Sequence, residues 1–163
     1  MIIFDASTLI LLAKIDVLRI VTDIFAPATA PKIVLSEATG KKTLDAEAIR
    51  QLVHENKLRI VENPPKHRMD YFMERFPVAA GETASFLIAR EKNALLATDD
   101  GIAIRICKIF GVRFATAVHF LIGLKNRGHL DQQTALAKLG VLERCGRYAP
   151  EIIKDATERI NRR

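Results

Sequence analysis

Two short apolar runs, each ending on a carboxylate, constrain this chain more than any other feature. Residues 1–4, Met-Ile-Ile-Phe, run into Asp5, and residues 94–98, Ala-Leu-Leu-Ala-Thr, run into the pair Asp99-Asp100. A brief apolar run bounded by polar residues reads as a buried strand. In an α/β sheet, the residue just past the carboxyl end of a strand sits where ligands bind. Two strands delivering acids to that edge point to a metal site.

The remaining pattern alternates strands with helices. Strands are expected at 28–30, 58–61 and 112–115, and helices at 7–15, 17–25, 32–39, 46–56, 67–76, 82–92 and 102–110. Pro31 suits a first helical position. Asp45 is the expected N-cap of 46–56, whose Ile49, Leu52 and Val53 mark one face. Ile102, Ile106 and Ile109 share a face of 102–110, which Gly111 terminates. From 117 the pattern is helical throughout, over 117–127, 131–143 and 150–161. Strands alternating with helices imply a parallel sheet covered on both sides, an α/β class of fold.

At 163 residues, with 49% hydrophobic and 27% charged side chains, the chain is expected to be one ordinary globular domain. Cys107 and Cys145 are far apart and form no CxxC pair, which fits a reducing cytoplasm. The longest uncharged run near the N-terminus, 6–13, is too short to span a bilayer, so no membrane role is expected. The net charge of +6 is uneven: residues 1–104 hold 13 Lys+Arg against 14 Asp+Glu (−1), and residues 105–163 hold 12 against 5 (+7). A basic third beside an acidic body suits a polyanionic substrate whose cleavage needs metal, or else a solvated helical surface.

Four acidic positions stand out: Asp5, Glu37, Glu82 and Asp99-Asp100. Glu82 follows Gly81 at a helix start, where the dipole favours a carboxylate, and Gly81 leaves room for close approach. Glu37 lies mid-helix between small and apolar neighbours. Each has a plainer explanation, since Asp5 and Asp99-Asp100 can cap helices and the two glutamates can face solvent. Capping does not explain acids brought to one edge by several separate elements. Two carboxylates about 4 Å apart repel by roughly 4 kcal/mol at an effective dielectric near 20. Convergence therefore demands protons or a cation, and oxygen-only ligands favour Mg²⁺ or Mn²⁺. Ser7 and Thr98 could steady a bound water or an acid, or make local turn hydrogen bonds.

These residues bring a family into view. The blocks IIFDASTLI (2–10), VLSEA (34–38), AGETASFLIA (80–89) and LLATDDGIAIRIC (95–107) resemble, in order, those of PIN-domain nucleases, the group that includes VapC-type ribonuclease toxins. They cover about the first 116 residues. The segment 135–153 is similar to the helical tail of one stand-alone prokaryotic branch. The resemblance implies a flavodoxin-like, three-layer α/β/α sandwich over 1–116, with C-terminal helices over 117–163. It also implies metal-dependent cleavage of RNA. Asp5, Glu37, Glu82 and Asp99 match the acidic quartet, with Asp100 as a further metal candidate. In that reading Asp5, Glu82 and Asp99 hold Mg²⁺ or Mn²⁺, and Glu37 orients or deprotonates water. An antitoxin partner and a homodimer are implied by resemblance alone. The Thr98-Asp99-Asp100 arrangement departs from many toxin members, whose last acid comes a few residues later.

Arg105 could meet a phosphate or lie on the surface, and Lys125, Arg127, Arg144 and Arg147 could guide an RNA backbone. His54, His67, His119 and His129 lack metal-ligand spacing and read as surface or packing residues. Phe72, Phe76 and Phe86 read as core or interface. No phosphate-binding Gly-rich loop, GxGxxG, GxSxG or HExxH occurs. A phosphoacceptor receiver needs an aspartate and a lysine that Val61-Glu62-Asn63 and Phe114-Ala115-Thr116 do not supply. The rival that remains is a PIN-like module that binds RNA or protein without cutting.

Overall fold

The computed structural model describes residues 1–25 and 27–162. Its five strands are β1 (Ile2–Phe4), β2 (Ala28–Pro31), β3 (Leu58–Val61), β4 (Leu95–Ala97) and β5 (Phe114–Ala115). They form one parallel sheet in the order β3-β2-β1-β4-β5. Helices α1 (Ala6–Lys14) and α2 (Leu18–Ile24) lead from β1 to β2, and α3 (Lys32–Thr39) and α4 (Leu44–His54) lead to β3. Then α5 (Lys66–Met73) and α6 (Ala80–Glu91) lead to β4, and α7 (Gly101–Phe110) leads to β5. Three helices follow: α8 (Ala117–Asn126), α9 (Gln132–Cys145) and α10 (Pro150–Asn161).

This is the expected three-layer α/β sandwich. Because successive side chains of a strand point to opposite faces, Ile2 and Phe4 enter one apolar cluster while Ile3 enters the other. Leu12, Leu52, Leu121, Leu142 and Ile160 share the Phe4 side, so the last three helices join the main core. On the Ile3 side Phe72, Phe76, Phe86 and Phe110 pack as a group, with ring centroids 4.6 Å apart for Phe72–Phe76 and 5.0 Å for Phe72–Phe86.

Strand order reverses at β1: the chain steps outward to β2 and β3, then returns on the other side as β4 and β5. The crevice at such a reversal is where open α/β sheets bind ligands. Phe4 pairs with Ala97, and the Asp5 amide donates to the Ala97 carbonyl at 3.0 Å. Register alone therefore sets Asp5 beside Thr98.

Several local expectations need correction. Thr43, not Asp45, caps α4, its side chain accepting from the Ala46 amide; Asp45 instead meets the helix dipole from the first turn. Ile109 is 71% exposed, because α7 buries Ala103, Ile106 and Cys107. Pro31 is the last residue of β2 and occupies the N-cap position of α3. Helix α6 begins at Ala80, so Glu82 lies within its first turn. Among the described residues no helix is long and apolar enough to cross a membrane.

Gly111 ends α7 in the left-handed region, φ 66°, with its amide donating to Cys107. A Cβ there meets no atom within 4 Å, so backbone conformation alone penalises a side chain. Gly111→Ala should cost about 1 kcal/mol, read as a lower urea midpoint with an unchanged slope.

Candidate active site

Asp5 leaves β1 directly into α1 and caps it. Its Oδ1 accepts from the Thr8 amide at 3.0 Å and from Ser7 Oγ at 2.8 Å, and its Oδ2 accepts from Thr98 Oγ1. The residue is 1% exposed. Burial pushes its carboxyl up to about 7; the donors from Thr8, Thr98 and Ser7 pull the other way, and the nearby Asp99 charge adds to the rise. Ser7 and Thr98 each do a second job. Ser7 Oγ accepts from the Asp99 amide at 3.1 Å, and Thr98 Oγ1 accepts from the Asp100 amide at 3.2 Å. Two hydroxyls thus couple the ends of β1 and β4.

The adjacent aspartates have different employments. Asp99 Oδ2 accepts from Thr8 Oγ1 at 2.7 Å, and the Ala117 amide lies 2.9 and 3.2 Å from its two oxygens. The Tyr148 hydroxyl closes on Oδ1. Burial raises the Asp99 carboxyl despite these donors, and burial together with the Asp99 charge pushes the Tyr148 phenol well above its usual range. Asp100 turns the other way: its Oδ1 caps α7, accepting from the Ile102 and Ala103 amides at 2.9 and 2.8 Å. Its Oδ2 accepts no hydrogen bond among the described residues.

The glutamates meet where α3 packs on α6. A Cβ on Gly81 would sit 2.3 Å from Glu37 Oε2, so only glycine admits that carboxylate. Burial raises the Glu37 carboxyl, the Glu82 charge raises it further, and the Gly81 backbone opposes both. Glu82 Oε2 is buried with no hydrogen-bond partner. One turn on, Ser85 Oγ donates to the Phe4 carbonyl at 3.2 Å, tying α6 to the end of β1.

Shared hydroxyls connect Asp5 with Asp99 and Asp100, and the Glu82 charge acts on Glu37. Among the described residues no three His, Cys, Asp or Glu side chains are grouped closely enough to form a ready-made metal cage. Nor does any of these five acids have an ion-pair partner among them; the eight ion pairs engage other carboxylates. An oxygen-only donor set with one orphaned buried oxygen and no ion-pair partner among the described residues fits a hard divalent ion in its chemistry.

The basic candidates divide. Arg147 lines a cavity of about 750 Å³ that also borders Asp99 and Asp100. Arg105 lies exposed one turn into α7, its Nε donating to the Gly101 carbonyl at 3.3 Å. Lys125 and Arg127 are carried away by α8, roughly 13 Å along its axis from Thr116. Lys125 bonds the Arg162 carbonyl, and Arg127 lies 4.7 Å over the Phe25 ring. Arg144 is exposed in the last turn of α9.

Sequence reasoning missed three contributors. Tyr148 carries no pattern that would mark it. Thr8 had a signal, as the third residue after an N-cap aspartate. His119 was set aside, yet its Nδ1 accepts from the Thr116 amide at 3.1 Å in a capping box, and it borders the same cavity. Burial and Arg159 lower its pKa, the Asp99 and Asp155 charges opposing.

The acids thus stand at the ends of β1 and β4, at the crevice where the parallel sheet reverses. The family model for DUF3368, a PIN domain, matches residues 1–162, and the chain belongs to that family. No curated protein matches the chain by sequence. The family match extends the likeness past residue 116 through the last three helices.

Because the folded pKa of Asp5 lies above its ordinary 3.8, the folded state binds that proton more tightly than the unfolded state. Its contribution is full below about pH 4, declines as pH rises through about 7, and is then constant. In chelator, Asp5→Asn should be more stable than the parent at pH 8, and the gain should vanish by pH 4 in urea titrations. Gly81→Ala should displace Glu37 while leaving the circular dichroism spectrum and melting temperature close to the parent's. Its readout is weaker Mn²⁺ binding in calorimetry.

Proposed function

We propose that this chain is a ribonuclease dependent on Mg²⁺ or Mn²⁺, with Asp5, Glu37, Glu82 and Asp100 offering oxygens to the ion and Asp99 bracing them. The observation that carries this reading is the unpartnered, buried Glu82 Oε2 beside the Glu37 carboxyl, whose pKa the Glu82 charge raises further. Of the adjacent pair, Asp99 accepts from three donors, Thr8, Ala117 and Tyr148, whereas Asp100 keeps one oxygen free of donors among the described residues. This reading moves the role expected for Asp99 to Asp100.

A bound divalent ion activates water and offsets charge on the departing oxygen. The protein's part is placement. Three donors fix the Asp5 carboxylate, and Asp100 is fixed by its cap. Glu37 is the most exposed of the four, with a carboxyl raised above its ordinary value by burial and by the Glu82 charge, and suits the acceptor of the proton from the attacking water. Arg105 and Arg147 flank this edge as candidates for backbone phosphates. The family resemblance adds to this reading an antitoxin partner, a homodimer and a cytoplasmic setting.

That no three acids among the described residues are grouped closely enough to hold an ion favours a second reading, a module that binds RNA without cutting it. Cleavage of a fluorescent single-stranded RNA in Mn²⁺ distinguishes them. The parent should cut and stop on chelation, while Asp5→Asn and Asp100→Asn should each lose on the order of 100-fold in rate. Asp99→Asn should instead lose about 1–3 kcal/mol of stability and keep more activity than Asp100→Asn. Parental rates in Asp100→Asn would remove that residue from the site, and RNA binding without cleavage by the parent would establish the second reading.

A further inference from the structure

The 750 Å³ cavity between α7, β5, α8 and α10 meets the acidic edge at Asp99, Asp100 and Arg147, but its apolar interior has no part in the chemistry above. Its size is that of small-molecule sites, enough for one nucleoside and too small for a duplex. Its walls are apolar where Ile104, Phe114, Val118 and Ile152 face it. Such surfaces suit the flat faces of a base.

Its charges argue against a phosphate inside. Lys108, Arg147 and Arg159 are outnumbered by Asp99, Asp100, Glu151 and Asp155, a formal lining charge of −1. A base, which is neutral, can enter while its phosphate stays outside beside Asp100. The acids differ in availability. Asp99 already accepts from Thr8, Ala117 and Tyr148, Asp100 caps α7, and Asp155 faces Arg159 at 3.7 Å. Glu151, in the first turn of α10, has no ion-pair partner among the described residues. A carboxylate reads bases by accepting from their amino groups. Guanine offers it two parallel donors, N1–H and the 2-amino group, whereas uracil has no amino group.

We propose that this cavity is a nucleobase site that takes one unstacked, amino-bearing base of a single-stranded substrate, guanine above the others, with Glu151 as the group that reads it. The proposal rests on the ribonuclease reading for the identity of the substrate, but its binding step does not need metal.

The test uses the full chain in metal-free buffer, titrated with GMP, CMP, AMP and UMP and followed by NMR. GMP should shift the signals of Ile104, Val118 and Ile152 and bind about tenfold tighter than UMP, one charge-assisted hydrogen bond's worth of discrimination. Glu151→Ala should erase that preference, and Ile152→Trp, at a position 47% exposed, should weaken all four by narrowing the cavity. Absence of shifts in the cavity, equal binding of GMP and UMP, the same shifts with inorganic phosphate, or a preference surviving Glu151→Ala would each overturn the proposal. Asp5→Asn protein should bind GMP as the parent does. If the parent binds GMP here but cuts no RNA in Mn²⁺, the ribonuclease reading fails while the base site stands.

Discussion

The parallel pairing of β1 with β4 sets the position of everything else at the acidic edge. Three residues of β1 are enough because all are buried and both neighbouring strands hold them. Phe4 opposite Ala97 makes Asp5 and Thr98 neighbours, and from there hydroxyls rather than cations carry the connections. Ser7, Thr8 and Thr98 each serve two masters, an acid side chain on one side and a backbone amide or second acid on the other. A slip of one residue would flip Asp5 to the other side of the sheet and leave these hydroxyls without partners.

Helix capping and acid placement turn out to be one device. Asp5 caps α1 and Asp100 caps α7, each using one carboxylate oxygen for the helix. In Asp100 the second oxygen remains free of donors among the described residues; in Asp5 it meets Thr98. Capping fixes a rotamer with backbone geometry, so these acids keep their direction without a positive side chain to steady them. Burial without a compensating ion pair then raises the carboxyls of Asp5, Glu37 and Asp99.

The sheet, its parallel sense and its helical covering were legible because short buried strands and longer helical periods leave different marks in sequence. Asp5 and Glu82 were legible for the same reason: each stands at an element boundary. The division of labour between Asp99 and Asp100 was not, since it depends on where Ala117 and Tyr148 return in space. Tyr148 is 49 positions from its partner, and nothing in local pattern announces such a contact. Thr43 displaced Asp45 as a cap because α4 starts earlier than its apolar face suggests. Ile109 shares spacing with Ile106, yet the buried stripe of α7 is narrow and runs through Cys107 instead.

The Tyr148 contact also bears on how the molecule is made. Synthesis proceeds from the N-terminus, and domains begin to organise as they emerge. Asp5, Glu37, Glu82 and Asp100 leave the ribosome well before the tyrosine that seals Asp99. During that interval Asp99 lacks the Tyr148 hydroxyl, and the helix that will wall the cavity does not yet exist. The acidic edge therefore matures late, in step with the final segments of translation rather than with the sheet that bears it.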